Sequence, residues 1–275
     1  MKKYIIFTFF IILSLFLFCG CSKKEKELND LETIKKRGHI IVGVKTDSPP
    51  FGFYKDKKLS GVDIDIANEI AQNIFKSDSM GLVKFVAVNP QNRISKLNSK
   101  EVDILVATMS INEKRKLILD FSAPYFIANQ KIMIRKTSKI SSLQYFNKNG
   151  RLAVILGTTG EKISRLVVPN AHIIGAKSYV EAYNLLVNKQ VDAILGDDCI
   201  LAGFKNNDLR IINKAYSREY YAVAVRKSEK SKELLNAINA AIVQISDEKR
   251  LNLIHCSDDV EEARKEIANF LDTKV

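Results

Sequence analysis

Proline and glycine are scarce, five and twelve in 275 residues, which excludes collagen-like and low-complexity chains. The four cysteines form no CxxC pair, and His39, His172 and His255 are scattered, each an ordinary structural residue. No metal-ligand spacing results, and no cofactor is expected. There is no GxSxG and no nucleophile–base–acid set is read from the sequence, so the chain reads as a non-enzyme. No period of about 20–50 residues repeats. Cys199 and Cys256 either pair outside the cell or are each a buried thiol.

What is present is ordinary globular usage, 46 % apolar and 27 % charged. The formal charge is +12 and the pI about 9.4, which first suggests nucleic acid or an anionic surface. The excess is concentrated at residues 129–220, where 14 basic groups face seven acidic ones. Basic runs with interleaved aromatics are missing there, so no nucleic-acid partner is expected. The charge reads instead as a surface facing anionic lipid, with a local field that draws in an anionic ligand.

Met1-Lys2-Lys3 is a short cationic start, followed by a nearly unbroken apolar run to Cys19. That run is short for a membrane span and fits the core of an export signal. Phe18-Cys19-Gly20-Cys21 resembles a bacterial lipobox, with small Gly20 before Cys21. The expectation is a lipoprotein signal peptide over 1–20, a lipidated (palmitate-bearing) Cys21, and a polar tether through residue 30. An uncleaved N-terminal anchor is the alternative. Either way residues 22 onward lie outside the cytoplasmic membrane, in the periplasm or at the cell surface.

The rest alternates between strand-like and helical patterns. Strands are predicted at 39–44, 82–88, 102–107, 131–134, 151–155, 172–175, 191–195 and 220–225. Helices are predicted at 62–75, 93–98, 161–167, 180–188 and 231–245, with a helical turn opening at 113. In the first helix Val62, Ile66, Ile70 and Ile74 form one stripe. Such βαβ alternation implies an α/β fold with mixed, mainly parallel sheets, whose ligands bind at the carboxyl ends of strands.

Four loops follow those strand ends. After Ala107 come Thr108, Ser110 and Arg115: hydroxyls that could hold one carboxylate oxygen, and a guanidinium able to grip both. Spacing alone favours reading Arg115 as a surface residue in a polar turn. After Ile155, Gly157-Thr158-Thr159-Gly160 is either an anion site at a helix N-terminus or a turn capped by Thr159. After Leu195, Asp197 can receive an ammonium group, and Asp198 is a candidate N-cap. After Val44, Lys45 opens a rigid turn, as a solvated charge or a second anion contact. The complementary ligand is an α-amino acid zwitterion.

At this point the chain resembles the solute-binding proteins of polar amino-acid ABC transporters, family 3, with a type II periplasmic-binding fold. The likeness spans roughly residues 31–255. It rests on IIVGVKTDSPPFGF, GVDIDIANEIA, NPQNRISKLNSKEVDILVATMSINEKRKLILDFSAPY, LAVILGTTGE, VDAILGD and YYAVAVRK, in that order. The resemblance implies two lobes joined by two hinge crossings, lobe 1 at 31–127 plus 221–275 and lobe 2 at 128–220. It implies that Arg115 clamps the ligand α-carboxylate, aided by Ser110 and Thr159. Thr108 and Asp197 would meet the α-amino group, with Thr158 nearby. Ser48 stands where other members place a stacking Tyr. Arg93 and Lys45 match basic positions of acidic-amino-acid binders, which points to glutamate or aspartate, with cystine or another polar amino acid as runner-up. Phe51 forms either an apolar wall or core. The implied partners are the ABC permease transmembrane subunits and the membrane, through the lipid anchor. The rivals are an exported cyclohexadienyl dehydratase-like enzyme and a ligand-sensing partner on the same scaffold.

Overall fold

The computed structural model describes residues 27–249. The export signal, Cys21, most of the tether, His255 and Cys256, and with it any Cys199–Cys256 bridge, lie outside the described residues. Asn29 and Asp30, expected in the tether, belong to the packed fold. Asn29 and Glu32 form a capping box, each side chain accepting from the other's amide at 2.8 and 2.9 Å. They open α1 (Asp30–Arg37). Asp30 is bound by Arg226 at 2.9 Å and Ser231 at 2.6 Å, so it belongs to the packed fold.

The first arm of the molecule begins with β1 (Ile40–Val44), an apolar run as expected of a strand covered on both faces. The following segment is more than a rigid turn. β2 (Asp47–Ser48), β3 (Gly52–Lys55) and β4 (Lys58–Ser60) pair as a small antiparallel sheet. Then comes α2 (Val62–Phe75), which buries the whole Val62, Ile66, Ile70 and Ile74 stripe. β5 (Val83–Ala87) is followed by α3 (Arg93–Asn98), and β6 by α4 (Glu113–Lys116). β6 is only Ile104–Leu105, shorter than predicted, although the Asp103 and Val106 amides still donate to the Ile41 and Gly43 carbonyls of β1 at 2.8 and 3.0 Å. β5 and β6 flank β1, both parallel to it.

Two long strands carry the chain between the arms. β7 runs through 17 residues, Leu119–Arg135, where the sequence pattern predicted only four. The second arm holds β8 (Arg151–Ile155), α5 (Thr159–Val167), β9 (His172–Ala176), α6 (Tyr179–Val187), β10 (Ala193–Asp197), α7 (Asp198–Gly203) and β11 (Leu209–Ile211). β12 (Ser217–Arg226) returns antiparallel to β7, and α8 (Lys232–Lys249) packs back on the first arm. The sheet order is β5-β1-β6-β12-β7-β10-β8-β9, with β11 on β7. The arms are parallel, and antiparallel pairing falls at the crossing strands and β11. The result is a two-lobe α/β fold with two hinge crossings. Among the described residues no helix is long and apolar enough to cross a membrane.

Phe51, fully buried, meets Phe126 and Tyr221 edge-on, with centroids 4.9 and 5.4 Å apart. Each such pair contributes about 0.5–1.5 kcal/mol beyond area burial. This cluster joins the small-sheet segment to both crossing strands. At α7 the predicted cap is corrected. Asp198 accepts from the Asn129 amide at 3.0 Å and from Asn129 Nδ2 at 3.1 Å, and pairs with Lys131 at 3.4 Å. It is fully buried and ties the helix to β7; it stands one residue past the N-cap position, Asp197, and its Oδ1 also accepts from the first-turn Cys199 amide at 2.9 Å. Breaking that buried pair on one side would cost about 3–5 kcal/mol.

Candidate functional site

The four loops converge. Lys45 follows β1, Thr108 and Ser110 follow β6, Thr158 and Thr159 follow β8, and Asp197 ends β10. With Arg93 of α3 and Arg115 of α4 they line one cavity between the lobes, about 10 Å³ in volume. That is room for about one water. An amino acid is larger, so it enters only if the walls separate.

Arg115 is placed by its own helix start: Asn112 caps α4 and accepts from the Arg115 amide at 2.9 Å. The side chain is 8 % exposed, not on the open surface. Its Nη1 donates to the Ser110 carbonyl at 2.8 Å and its Nη2 to the Gly157 carbonyl at 3.3 Å. One guanidinium thus touches both lobes. Burial lowers its pKa, while Glu219 and Asp197 raise it. Gly157 has φ 78°, and a Cβ there would stand 2.7 Å from the Pro90 carbonyl oxygen of the other lobe. Only glycine permits this approach.

Two further cations are buried. Arg93 donates through Nη1 to the Ala107 and Thr108 carbonyls at 2.7 and 3.3 Å. Its Nε is buried without a hydrogen-bond partner. Lys45 is 1 % exposed, which removes the solvated-charge reading. Its Nζ lies 3.8 Å from Asp47 and 4.8 Å from the Tyr179 ring centroid. Burial lowers the pKa of both, and in each case the nearby arginine adds to the effect: Arg93 for Lys45, and Arg115 for Arg93.

Among the described residues Asp197 is the one carboxylate lining the cavity. It accepts from Gln130 Nε2 at 2.6 Å and from the Tyr179 hydroxyl at 3.0 Å. Burial first, and Glu219 second, push its pKa up to about 7. The helix cap of α5 is Thr158, not Thr159: the Thr158 hydroxyl donates to the Ile155 carbonyl at 2.6 Å and accepts from the Glu161 amide at 3.4 Å. Thr159 lies one residue further, where its hydroxyl accepts from Gln130 at 3.4 Å.

Residues 40–256 match the bacterial extracellular solute-binding proteins, family 3. The chain belongs to that family. Among family-3 proteins it is 33 % identical over 240 residues to the ABC transporter glutamine-binding protein GlnH of Bacillus subtilis (strain 168), covering 86 % of each chain. The crystal structure of a cysteine-binding protein from Campylobacter jejuni superposes with a TM-score of 0.76 at 31 % identity, covering 82 % of this chain and 90 % of that one. An ancestral amino acid-binding protein, AncCDT-1, described as a precursor of cyclohexadienyl dehydratase, gives 0.73 at 29 % identity, covering 82 % and 96 %.

Within this family-3 chain, eight expected site residues share one cavity: Lys45, Arg93, Thr108, Ser110, Arg115, Thr158, Thr159 and Asp197. Phe51 does not join them; it sits in the aromatic core. Pro90 and Tyr179 line the cavity and were missed from sequence. Tyr179 opens α6 one residue before the predicted helix start, right after the Ser178 cap, and that cap was the available signal.

Proposed function

We propose that this chain is the extracytoplasmic solute-binding lipoprotein of an amino-acid ABC importer, and that it captures an acidic amino acid, glutamate or aspartate. One observation carries the ligand class: three buried cations, Lys45, Arg93 and Arg115, line a cavity whose one carboxylate among the described residues is Asp197. Asp47, Asp63 and Glu219 offset part of this charge from outside the lining, and the ligand side chain supplies the negative charge inside the cavity itself. Arg115, with Ser110 and Thr159, takes the α-carboxylate. Asp197 takes the ammonium, with Thr108 and Thr158 beside it. Lys45 and the spare Nε of Arg93 take the side-chain carboxylate, against Tyr179.

The lobes are assigned as 31–127 plus 221–275 and 128–220. They trap the ligand by closing, and the permease receives the closed form. Cys21 carries the lipid. Binding without turnover is the reading, since the cavity lining offers a zwitterion clamp and no nucleophile beside a base.

The likeness to a glutamine-binding relative favours a second reading, a neutral polar amino acid. Titration calorimetry with glutamate, aspartate, glutamine and cystine separates the two. Incubation with prephenate or arogenate tests the enzymatic rival, to which AncCDT-1 draws attention; steady turnover would decide against binding alone.

A further inference from the structure

The chain reverses at Thr108, where φ is +45°. A β-branched side chain is an outlier in that left-handed region and is strained there. Two buried side chains hold the reversal from opposite sides. Asp63, in the first turn of α2, accepts from the Thr108 amide at 3.1 Å through Oδ2. Its Oδ1 accepts from the Tyr125 hydroxyl at 2.8 Å. Arg93 Nη1 grips the carbonyls of Ala107 and Thr108. Both peptide groups of Thr108 are therefore fixed by charged side chains, one anionic and one cationic.

Asp63 is 0 % exposed, yet it does not line the cavity. Burial lifts its pKa to about 6, against the pull of Lys45 and Arg93 and of its own two hydrogen bonds. An apolar side chain of similar size would avoid that desolvation. What the carboxylate adds is a pair of acceptors, one aimed at the strained amide and one at Tyr125. The reversal it braces sets the directions of Thr108 and Ser110, and Ser110 in turn bonds Arg115 through its carbonyl.

We propose that Asp63 is a positioning residue for ligand capture: by accepting the Thr108 amide it holds Thr108 in the left-handed conformation that presents Thr108 and Ser110 to the amino acid. The inference rests on the solute-binding reading of the cavity.

The test compares Asp63→Ala, Asp63→Asn, Thr108→Gly and the Asp63→Ala/Thr108→Gly double variant of the exported chain. Two quantities are read: L-glutamate affinity by calorimetry, and hydrogen exchange of the residue-108 amide without ligand. Asp63→Ala should speed that exchange and weaken binding by about tenfold or more, as for a buried donor left unpaired. Asp63→Asn, which keeps an acceptor, should retain slow exchange and bind within about threefold of the parent. Glycine adopts positive φ without strain, so in the Thr108→Gly background Asp63→Ala should cost less than about threefold. Unchanged exchange in Asp63→Ala, or fast exchange with full affinity, would overturn the proposal. So would an Asp63→Ala loss of equal size in both backgrounds. If Asp63→Ala does not fold, the Asp63→Asn exchange rate decides, and fast exchange there counts against the proposal. If the parent binds no amino acid, the functional reading fails, and the exchange comparison still judges the contact.

Discussion

Tyr179 and Asp197 exchange two hydrogen bonds: the phenol donates to Oδ2 at 3.0 Å, and the Asp197 amide donates to the phenol oxygen at 3.1 Å. The pair holds the cavity carboxylate against the cation wall. Its charge state sets the first prediction. Burial and Glu219 raise Asp197 to about 7, opposed by Tyr179, Tyr221 and Lys45. An ammonium binds the ionised form. Affinity should therefore be full above pH 7 and fall toward about tenfold per pH unit below it. Without ligand the sign reverses: the folded state holds this proton above the ordinary 3.8, so its contribution to stability declines as pH rises from there to about 7. Calorimetry between about pH 5.5 and 8.5 checks the first effect; a flat affinity profile would remove Asp197 as the ammonium acceptor.

Arg115 bridges the Ser110 and Gly157 carbonyls across the cleft. Arg115→Ala should cost about 2–5 kcal/mol of binding, because a buried ligand carboxylate loses its fork. Arg115→Lys keeps the charge but not the planar pair of donors, and should fall in between. The measurement is the calorimetric Kd. An alanine variant with parental affinity would place the α-carboxylate elsewhere.

Gln91 reaches from the first lobe to the Leu156 carbonyl of the second at 2.6 Å. It does not line the cavity. Gln91→Ala should weaken every ligand by the same factor, about two- to tenfold, since it removes a closing contact and no recognition contact. A panel of competing amino acids reads this out. A change in ligand preference would show that Gln91 acts on specificity.

Among the described residues Lys45 has one ion pair, to Asp47, and it is long, 3.8 Å. Lys45→Met should lower the glutamate-to-glutamine affinity ratio by about tenfold or more, while thermal stability holds or rises as a buried charge is removed. An unchanged ratio would mean that the ligand side chain does not reach Lys45.

Much of this was legible from residue patterns. The Val62–Phe75 helix emerges at its full length because its apolar stripe keeps one period throughout. The four strand-end loops and eight cavity residues follow from motif order. The long strand Leu119–Arg135 was hidden, because Pro124, Asn129 and Gln130 interrupt its apolar run where it crosses between lobes. The small sheet at residues 47–60 was hidden for another reason. Its turn uses Asp56 and Lys57 at φ 50° and 64°, without the Asn-Gly pair that usually marks such a hairpin. Gln130 and Tyr179 escaped notice because their part in the site comes from distance, not sequence: each reaches Asp197 from another element.

The central claim is that a negative ligand side chain completes this cavity. It is tested most directly by titrating the unaltered protein with L-glutamate and L-glutamine, which differ chiefly in that charge. The account predicts that glutamate binds at least about tenfold more tightly at pH 7.5, through one extra buried ion pair. Glutamine binding more tightly than glutamate would contradict it.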